Sequence, residues 1–296
     1  MPTMQCPAKI NLFLEVIQKR PDGYHDLESV FLAVDLTDSL SAEAMDDGRI
    51  TMECSDPSVP TGNDNILVRA AQKLQERHHV RQGIRFYLEK RIPMGGGLGG
   101  GSSDAAGALH LANQLWDLQL APVQLAETGM LVGSDVPFFC HGGAALCKGR
   151  GEIVTPLEPP TADIPLTLVL SSLHSNTASA YAQLQLPEPA GVRSAAPCIA
   201  ALRTSGPHAL EAAAFNRFEP SVFAALPDLG ILHARLSAAL NKPVRMSGSG
   251  AALWYIGSAE EAERAIANNA ELRHLAQKLH VRYVSVTAYH APHQDR

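Results

Sequence analysis

The 296-residue sequence has no basic excess, no paired cysteines and no long apolar run. Lysine and arginine total 24 against 30 acidic residues, a formal charge of −6, so the composition offers no general means of neutralising a nucleic-acid backbone. The five cysteines (Cys6, Cys54, Cys140, Cys147 and Cys198) are scattered and contain no C-x-x-C pair. That argues against a disulfide framework or a structural zinc site and suits a reducing compartment. No segment approaches the roughly 18 uninterrupted apolar residues of a membrane span. The opening, Met1 to Leu14, sets Lys9 inside an apolar run instead of placing basic residues ahead of one. It reads as a strand of the fold and not as a signal peptide, and the expected location is the cytoplasm. Nor do the histidines stand at metal-ligand spacing with acids or cysteines, so no protein metal site is expected.

What is present is an α+β pattern. Ile10, Leu12 and Leu14 alternate with Asn11 and Phe13 as a half-buried strand. Ser29 to Leu36 and Asp38 to Glu43 read as two strands, and Asp46-Asp47-Gly48 as a hairpin turn into a third, Arg49 to Cys54. Helices are expected from about Ile66, after the glycines at 95–101, from Pro122 to about Val132, and over Ile231–Leu240 and Ala259–Ala267. Ile84–Lys90, Leu166–Leu170, Ala252–Ile256 and Val281–Thr287 read as strands. The proline-rich stretch Leu157 to Pro165 is the best linker, which divides the chain into 1–160 and 161–296. Gly191 to Pro207 reads as a variable loop.

The most informative segment is Pro93-Met94-Gly95-Gly96-Gly97-Leu98-Gly99-Gly100-Gly101-Ser102-Ser103-Asp104, six glycines in seven positions followed by a helical pattern. Glycine weakens ordinary helices and strands, so such a run serves the close approach of backbone to a ligand. At the mouth of a helix that ligand is an anion, phosphate above all. The run satisfies G-x-G-x-x-G, but no acidic residue ends a strand some twenty positions on, as a dinucleotide fold requires. Gly101 stands where a Walker loop needs lysine. The H-R-D and D-F-G motifs of protein kinases are missing. A flexible linker is disfavoured because Ser102-Ser103-Asp104 reads as the cap of the helix that follows.

Three separated blocks resemble the GHMP kinases: Pro7-Ala8-Lys9-Ile10-Asn11-Leu12, the glycine loop with its serines, and Met246-Ser247-Gly248-Ser249-Gly250-Ala251-Ala252. Arg20-Pro21-Asp22-Gly23-Tyr24-His25 and Gly133-Ser134-Asp135-Val136-Pro137-Phe138 are similar to the branch that acts on a cytidyl-diphosphate sugar alcohol. The resemblance implies a two-domain fold, the N-terminal half like domain 2 of ribosomal protein S5 and the C-terminal half a ferredoxin-like α/β sandwich. It implies transfer of the γ-phosphate of ATP, with Mg²⁺, to the 2-hydroxyl of a methylerythritol unit in non-mevalonate isoprenoid precursor synthesis. The expected partner is that small molecule, without nucleic acid or membrane, and the expected state is a monomer or homodimer.

The same resemblance assigns residues. Read locally, Asp135 is either a turn aspartate bonding its own backbone or a carboxylate held to accept a hydroxyl proton; the resemblance selects the second. Lys9 is either on an exposed strand face or paired; the resemblance pairs it with Asp135. Pro93 to Ser103 would hold the ATP phosphates, with Ser102 or Ser103 also bonding a phosphate or the ion. Asn11 and Thr177 would touch the acceptor alcohol. Tyr24 and Tyr181 would stack on cytosine while His25 bonds its polar edge. Where the family often has N-D-x-E, the chain has Asn216-Arg217-Phe218-Glu219, which puts the replaced side chain's role in question. Two rival readings are a related kinase acting on another alcohol and a non-catalytic nucleotide binder. A pure binder would need neither Lys9 nor Asp135.

Overall fold

The computed structural model describes residues 1–296 apart from 159, 161–163, 187, 189–190, 205 and 290–296. Two long strands dominate the first half, β1 (Thr3–Lys19) and β2 (His25–Met45), antiparallel and joined by the Pro21-Asp22-Gly23 turn. β3 (Ile50–Cys54), β4 (Gly83–Glu89), β5 (Ala144–Gly149), β6 (Ile153–Leu157) and the two-residue β8 (Phe215–Asn216) complete a seven-stranded sheet. Its main path runs β3-β4-β2-β1-β8. The second sheet is β11-β7-β10-β9, from β7 (Leu166–Leu170), β9 (Arg245–Met246), β10 (Leu253–Ile256) and β11 (Arg282–Val286). Helices α1 (Ile66–Arg77), α2 (Gly100–Leu115), α3 (Pro122–Gly129) and α4 (Val136–His141) belong to the first half. The second half contributes α5 (Thr177–Ala182), α6 (Ala196–Thr204), α7 (Pro207–Ala213), α8 (Glu219–Ala225), α9 (Pro227–Leu240), α10 (Ala259–Ala267) and α11 (Ala270–Lys278). Among the described residues no helix is long and apolar enough to cross a membrane.

Several expectations are corrected. The Asp46-Asp47-Gly48 turn does not build a hairpin: β3 pairs in parallel with β4, which lies between it and β2. The two strands expected over 29–43 are one, because β2 continues through Leu36–Asp38 with a register shift against Pro7/Ala8 that absorbs the irregular polar residues. Part of the presumed loop at 191–207 is the helix α6, whose Cys198, Ala201 and Leu202 are buried. β1 is buried on both faces from Cys6 to Val16. Ala8, Ile10 and Leu12 face a core shared with Leu166, Leu168 and Trp254 of the second sheet. Successive side chains of a strand point to opposite faces, so Lys9 and Asn11 emerge together on the other side. That side is roofed by the glycine loop, where a Cβ on Gly99 would lie 3.1 Å from the Lys9 side chain. β7 is likewise buried along its whole length: Leu166, Leu168 and Leu170 enter that core, Val169 enters another with Leu229, Leu232 and Leu236, and the buried Thr167 donates to Gly257 O at 2.8 Å.

Candidate active site

β4 delivers the chain to the glycine loop, and α2 leaves it. The helix begins inside the glycines: Gly99, in the left-handed region at φ 71°, is its N-cap, without a side-chain bond. Ser102, Ser103 and Asp104 are therefore inside the helix and do not cap it. Asp104 is buried and accepts a bond from Lys90 Nζ at 2.9 Å, and the same ammonium bonds Asp38. Asp38 also accepts the backbone N–H groups of Arg91 and Ile92. One buried cluster thus ties together β2, the end of β4 and the start of α2, at the base of the loop. Burial and the neighbouring Asp38 charge raise the pKa of Asp104, against the pull of Lys90, to about 7.

Two glycines are required by close approach. A Cβ on Gly97 (φ 73°) would run into the Ser247 carbonyl oxygen, and one on Gly99 would lie 2.8 Å from the Phe139 ring. The loop is fastened from both sides: Lys9 N–H donates to Leu98 O at 2.9 Å, Ser247 Oγ to Gly97 O at 2.9 Å, and Ala252 N–H to Gly96 O at 3.1 Å. On its outer side a pocket of about 250 Å³ is lined by Pro93 to Ser102 with Ile66 and Lys90.

On the inner side lies a larger cleft of about 970 Å³, onto which Gly97 and Gly99 also open. Lys9 Nζ stands 3.8 Å from Asp135 Oδ2 and donates to Asn11 Oδ1 at 2.7 Å. Asn11 Nδ2 donates to Ser29 Oγ at 2.9 Å, which fixes its amide orientation, and Ser29 Oγ in turn donates to Phe13 O at 2.6 Å. Lys9 is 3% exposed, and its ammonium sits 4.7 Å from the Phe31 ring centroid. Burial pulls its pKa down, with Asp135 and then Cys147 opposing that. Asp135 stands at the N-cap of α4 but forms no side-chain capping bond. Its side chain is 32% exposed, so the local turn reading fails and the carboxylate faces the cleft.

The structure brings Lys9, Asn11, Tyr24, His25, Asp135, Thr177 and Tyr181 to the same cleft. Thr177 Oγ1 and Ser249 Oγ are 2.9 Å apart. His25 and Tyr181 stack with centroids 4.9 Å apart and planes at 25°. Tyr181 packs edge-on against Phe218, while Tyr24 is 53% exposed beneath the Arg150 guanidinium at 4.7 Å. Arg150 and Phe218 line the cleft without having been singled out in the sequence. An arginine after a strand carries no local signal, and Phe218 stands out only as part of a diverged motif. Pro93, Met94, Gly95, Gly96, Leu98, Gly100, Gly101 and Ser102 line the outer pocket. Ser103 is buried behind it, its Oγ without a partner among the described residues.

Residues 65–143, which carry the loop, α2 and Asp135, match the model of the GHMP kinases N-terminal domain. The 4-diphosphocytidyl-2-C-methyl-D-erythritol kinase of Shouchella clausii is 37% identical over 268 residues, 90% of this chain and 89% of that protein. The chain belongs to the 4-diphosphocytidyl-2-C-methyl-D-erythritol kinase family. The Salinibacter ruber member is likewise 37% identical, over 94% of this chain and 98% of its own. A crystal structure of a 4-(cytidine 5'-diphospho)-2C-methyl-D-erythritol kinase superposes with a TM-score of 0.76 at 30% identity, over 98% of this chain and 100% of that one. The likeness to the family therefore extends over both sheets and is not confined to the glycine loop.

Proposed function

We propose that this chain transfers the γ-phosphate of ATP to the 2-hydroxyl of 4-diphosphocytidyl-2-C-methyl-D-erythritol, in the cleft between the part before residue 160 and the part after it. The observation that carries this reading is the Lys9–Asp135 pair, set where the phosphate loop and the aromatic wall open into one cleft. Phosphoryl transfer needs positioned phosphates, neutralised charge and an acceptor for the alcohol proton. Gly95 to Ser102 offer backbone N–H groups at the mouth of α2 to the triphosphate. Asp135, free of local bonds, takes the proton as the alcohol oxygen bonds the γ-phosphorus and the bond to the β-phosphate oxygen breaks, releasing ADP. The Lys9 ammonium stabilises the carboxylate before transfer and draws negative charge from the attacking oxygen during it. Asn11 orients the alcohol, and Thr177 contacts it. Tyr24, His25 and Tyr181 bind the cytidine.

A Mg²⁺ ion fits this site as a companion of the triphosphate. Among the described residues no group of three His, Cys, Asp or Glu side chains could hold a metal, so phosphate oxygens and water would supply most ligands. Ser102 lines the outer pocket and is the hydroxyl available to the ion or a phosphate; Ser103 Oγ is buried at the helix start, with no partner among the described residues. Held there with the nucleotide, the ion would supply neutralisation of phosphate charge. The protein acts in the cytoplasm, as a monomer or homodimer.

The test is ADP release coupled to a reporter, with the cytidyl acceptor, homoserine and mevalonate compared side by side. Turnover of the cytidyl substrate, with CMP or CDP competing against it, is expected. Turnover of another alcohol in its place refutes the acceptor. ATP binding without ADP formation from any acceptor favours the non-catalytic alternative.

A further inference from the structure

The Asn216-Arg217-Phe218-Glu219 segment departs from its family pattern at Arg217, and the reaction above leaves its polar residues without a role. We propose that Asn216 and Glu219 are positioning residues that set the Met246–Gly250 loop at the reacting centre by holding its backbone; this rests on the kinase reading above. Asn216 is 1% exposed and lies on β8, in register with Leu14 of β1. The strand that carries Lys9 and Asn11 therefore also places Asn216. Its Nδ2 donates to Met246 O at 2.7 Å and Gly248 O at 2.8 Å, and its Oδ1 accepts from Phe218 N–H at 2.9 Å. Glu219 Oε1 accepts from Met246 N–H at 2.9 Å. Both backbone groups of Met246 are thus held by side chains three residues apart, while Arg217 between them turns to Glu15. The family departure falls on the position that does not touch the loop.

From the loop, the constraint passes directly to the site. Ser247 Oγ bonds Gly97 O of the phosphate loop and lies 3.5 Å from Asn11 Oδ1. Gly248 and Ser249 line the cleft, and Ser249 bonds Thr177. In the trans peptide joining Gly248 to Ser249, carbonyl and N–H point in opposite directions. Fixing the Gly248 carbonyl on Asn216 therefore directs the Ser249 N–H away from Asn216. Asn216→Asp keeps the shape and the Oδ1 acceptor but replaces the two donors with an oxygen facing two carbonyls. Glu219→Gln keeps an Oε1 acceptor. The substitution is mild because it keeps the acceptor for the Met246 N–H and gives up only the charge that stands 3.9 Å from Arg245.

The experiment measures kcat and KM for both substrates per folded enzyme, in N216D, E219Q and E219A, together with amide hydrogen exchange over 246–250. We expect N216D to lose kcat by on the order of 10²-fold, as for a misplacement of about 1 Å, with KM for ATP near wild type and faster exchange in the loop. E219Q should keep near wild-type kcat where E219A loses it. A wild-type kcat in folded N216D, or E219Q falling as far as E219A, overturns the proposal. Should N216D not fold, the Glu219 pair decides. Failure of the wild type on the cytidyl acceptor refutes the kinase reading for that substrate; the variant-to-wild-type ratios are then taken with the alcohol it does turn over.

Discussion

Lys9 shows how much of a side chain's role depends on residues far away in sequence. An ammonium 3% exposed is costly unless paired, and its partners are Asn11 two residues on and Asp135 on another element. Lys9→Met removes the charge and keeps much of the stem's apolar packing, so the fold is expected to persist while turnover falls by about 10²–10³-fold; circular dichroism with ADP release checks this, and near-normal turnover removes Lys9 from the mechanism. Arg217 is the opposite case. Its guanidinium makes two 2.6 Å bonds to the fully buried Glu15, whose carboxylate also accepts the N–H groups of Val16 and Arg193. Arg217→Ala leaves that carboxylate without its counter-charge. The expected loss of stability is about 2 kcal/mol, less than a fully buried pair would give, because the guanidinium is partly exposed and the N–H bonds remain. Urea unfolding measures it, and an unchanged midpoint contradicts it. The sequence made Lys9 and Asp135 legible through motif and resemblance. It left Arg217 unexplained, since its partner lies 202 positions away.

The glycine loop was the most legible element, because its composition has few physical uses. What its composition could not show is that the helix starts two residues inside the glycines, or that Asp104 is a buried partner of Lys90 and no cap. Similarly, nothing in β3's own residues specifies parallel pairing with β4 instead of a hairpin with β2, a choice made by long-range packing. Two predictions belong at this scale. Gly97→Ala meets both a left-handed φ and the Ser247 carbonyl, so it should raise KM for ATP and lower kcat together, as steady-state kinetics would report; wild-type constants would show that the loop yields freely. The second concerns Asp104. Its folded pKa of about 7 lies above that of an unfolded aspartate. The folded protein thus holds the proton more tightly, and this group's stabilisation, complete below about pH 4, is lost as pH rises through about 7. Asp104→Asn cannot titrate, so its stability relative to wild type should improve from about pH 5 to pH 8. A pH-independent difference in denaturation midpoint would contradict the shifted pKa.

At the scale of the molecule, the cleft draws on both ends of the chain, with Lys9 and Asn11 from β1 and Gly248 and Ser249 after β9. A ligand held there binds the folded state alone. CMP at 100 times its Kd should therefore stabilise the fold by about 2.7 kcal/mol, read as a rise in Tm; no shift at saturating CMP argues against the cytidine wall. The α+β class followed from the mixture of periodicities along the chain. The joining of the two sheets did not: Leu166 and Leu168 are apolar in any arrangement, and only packing shows that they share a core with Ile10 and Leu12.

β1 carries one further consequence. Lys9 and Asn11 face the cleft because they occupy alternate positions of a strand whose other face, Ala8, Ile10 and Leu12, is sealed in a core. Such a strand tolerates changes of letter far better than changes of count. Deleting or inserting a single residue between Asn11 and the turn into β2 would present the aliphatic face to the cleft and drive an ammonium and an amide into the core. Over evolutionary time this segment should therefore drift by substitution while keeping its length fixed, and length variation should collect elsewhere in the chain.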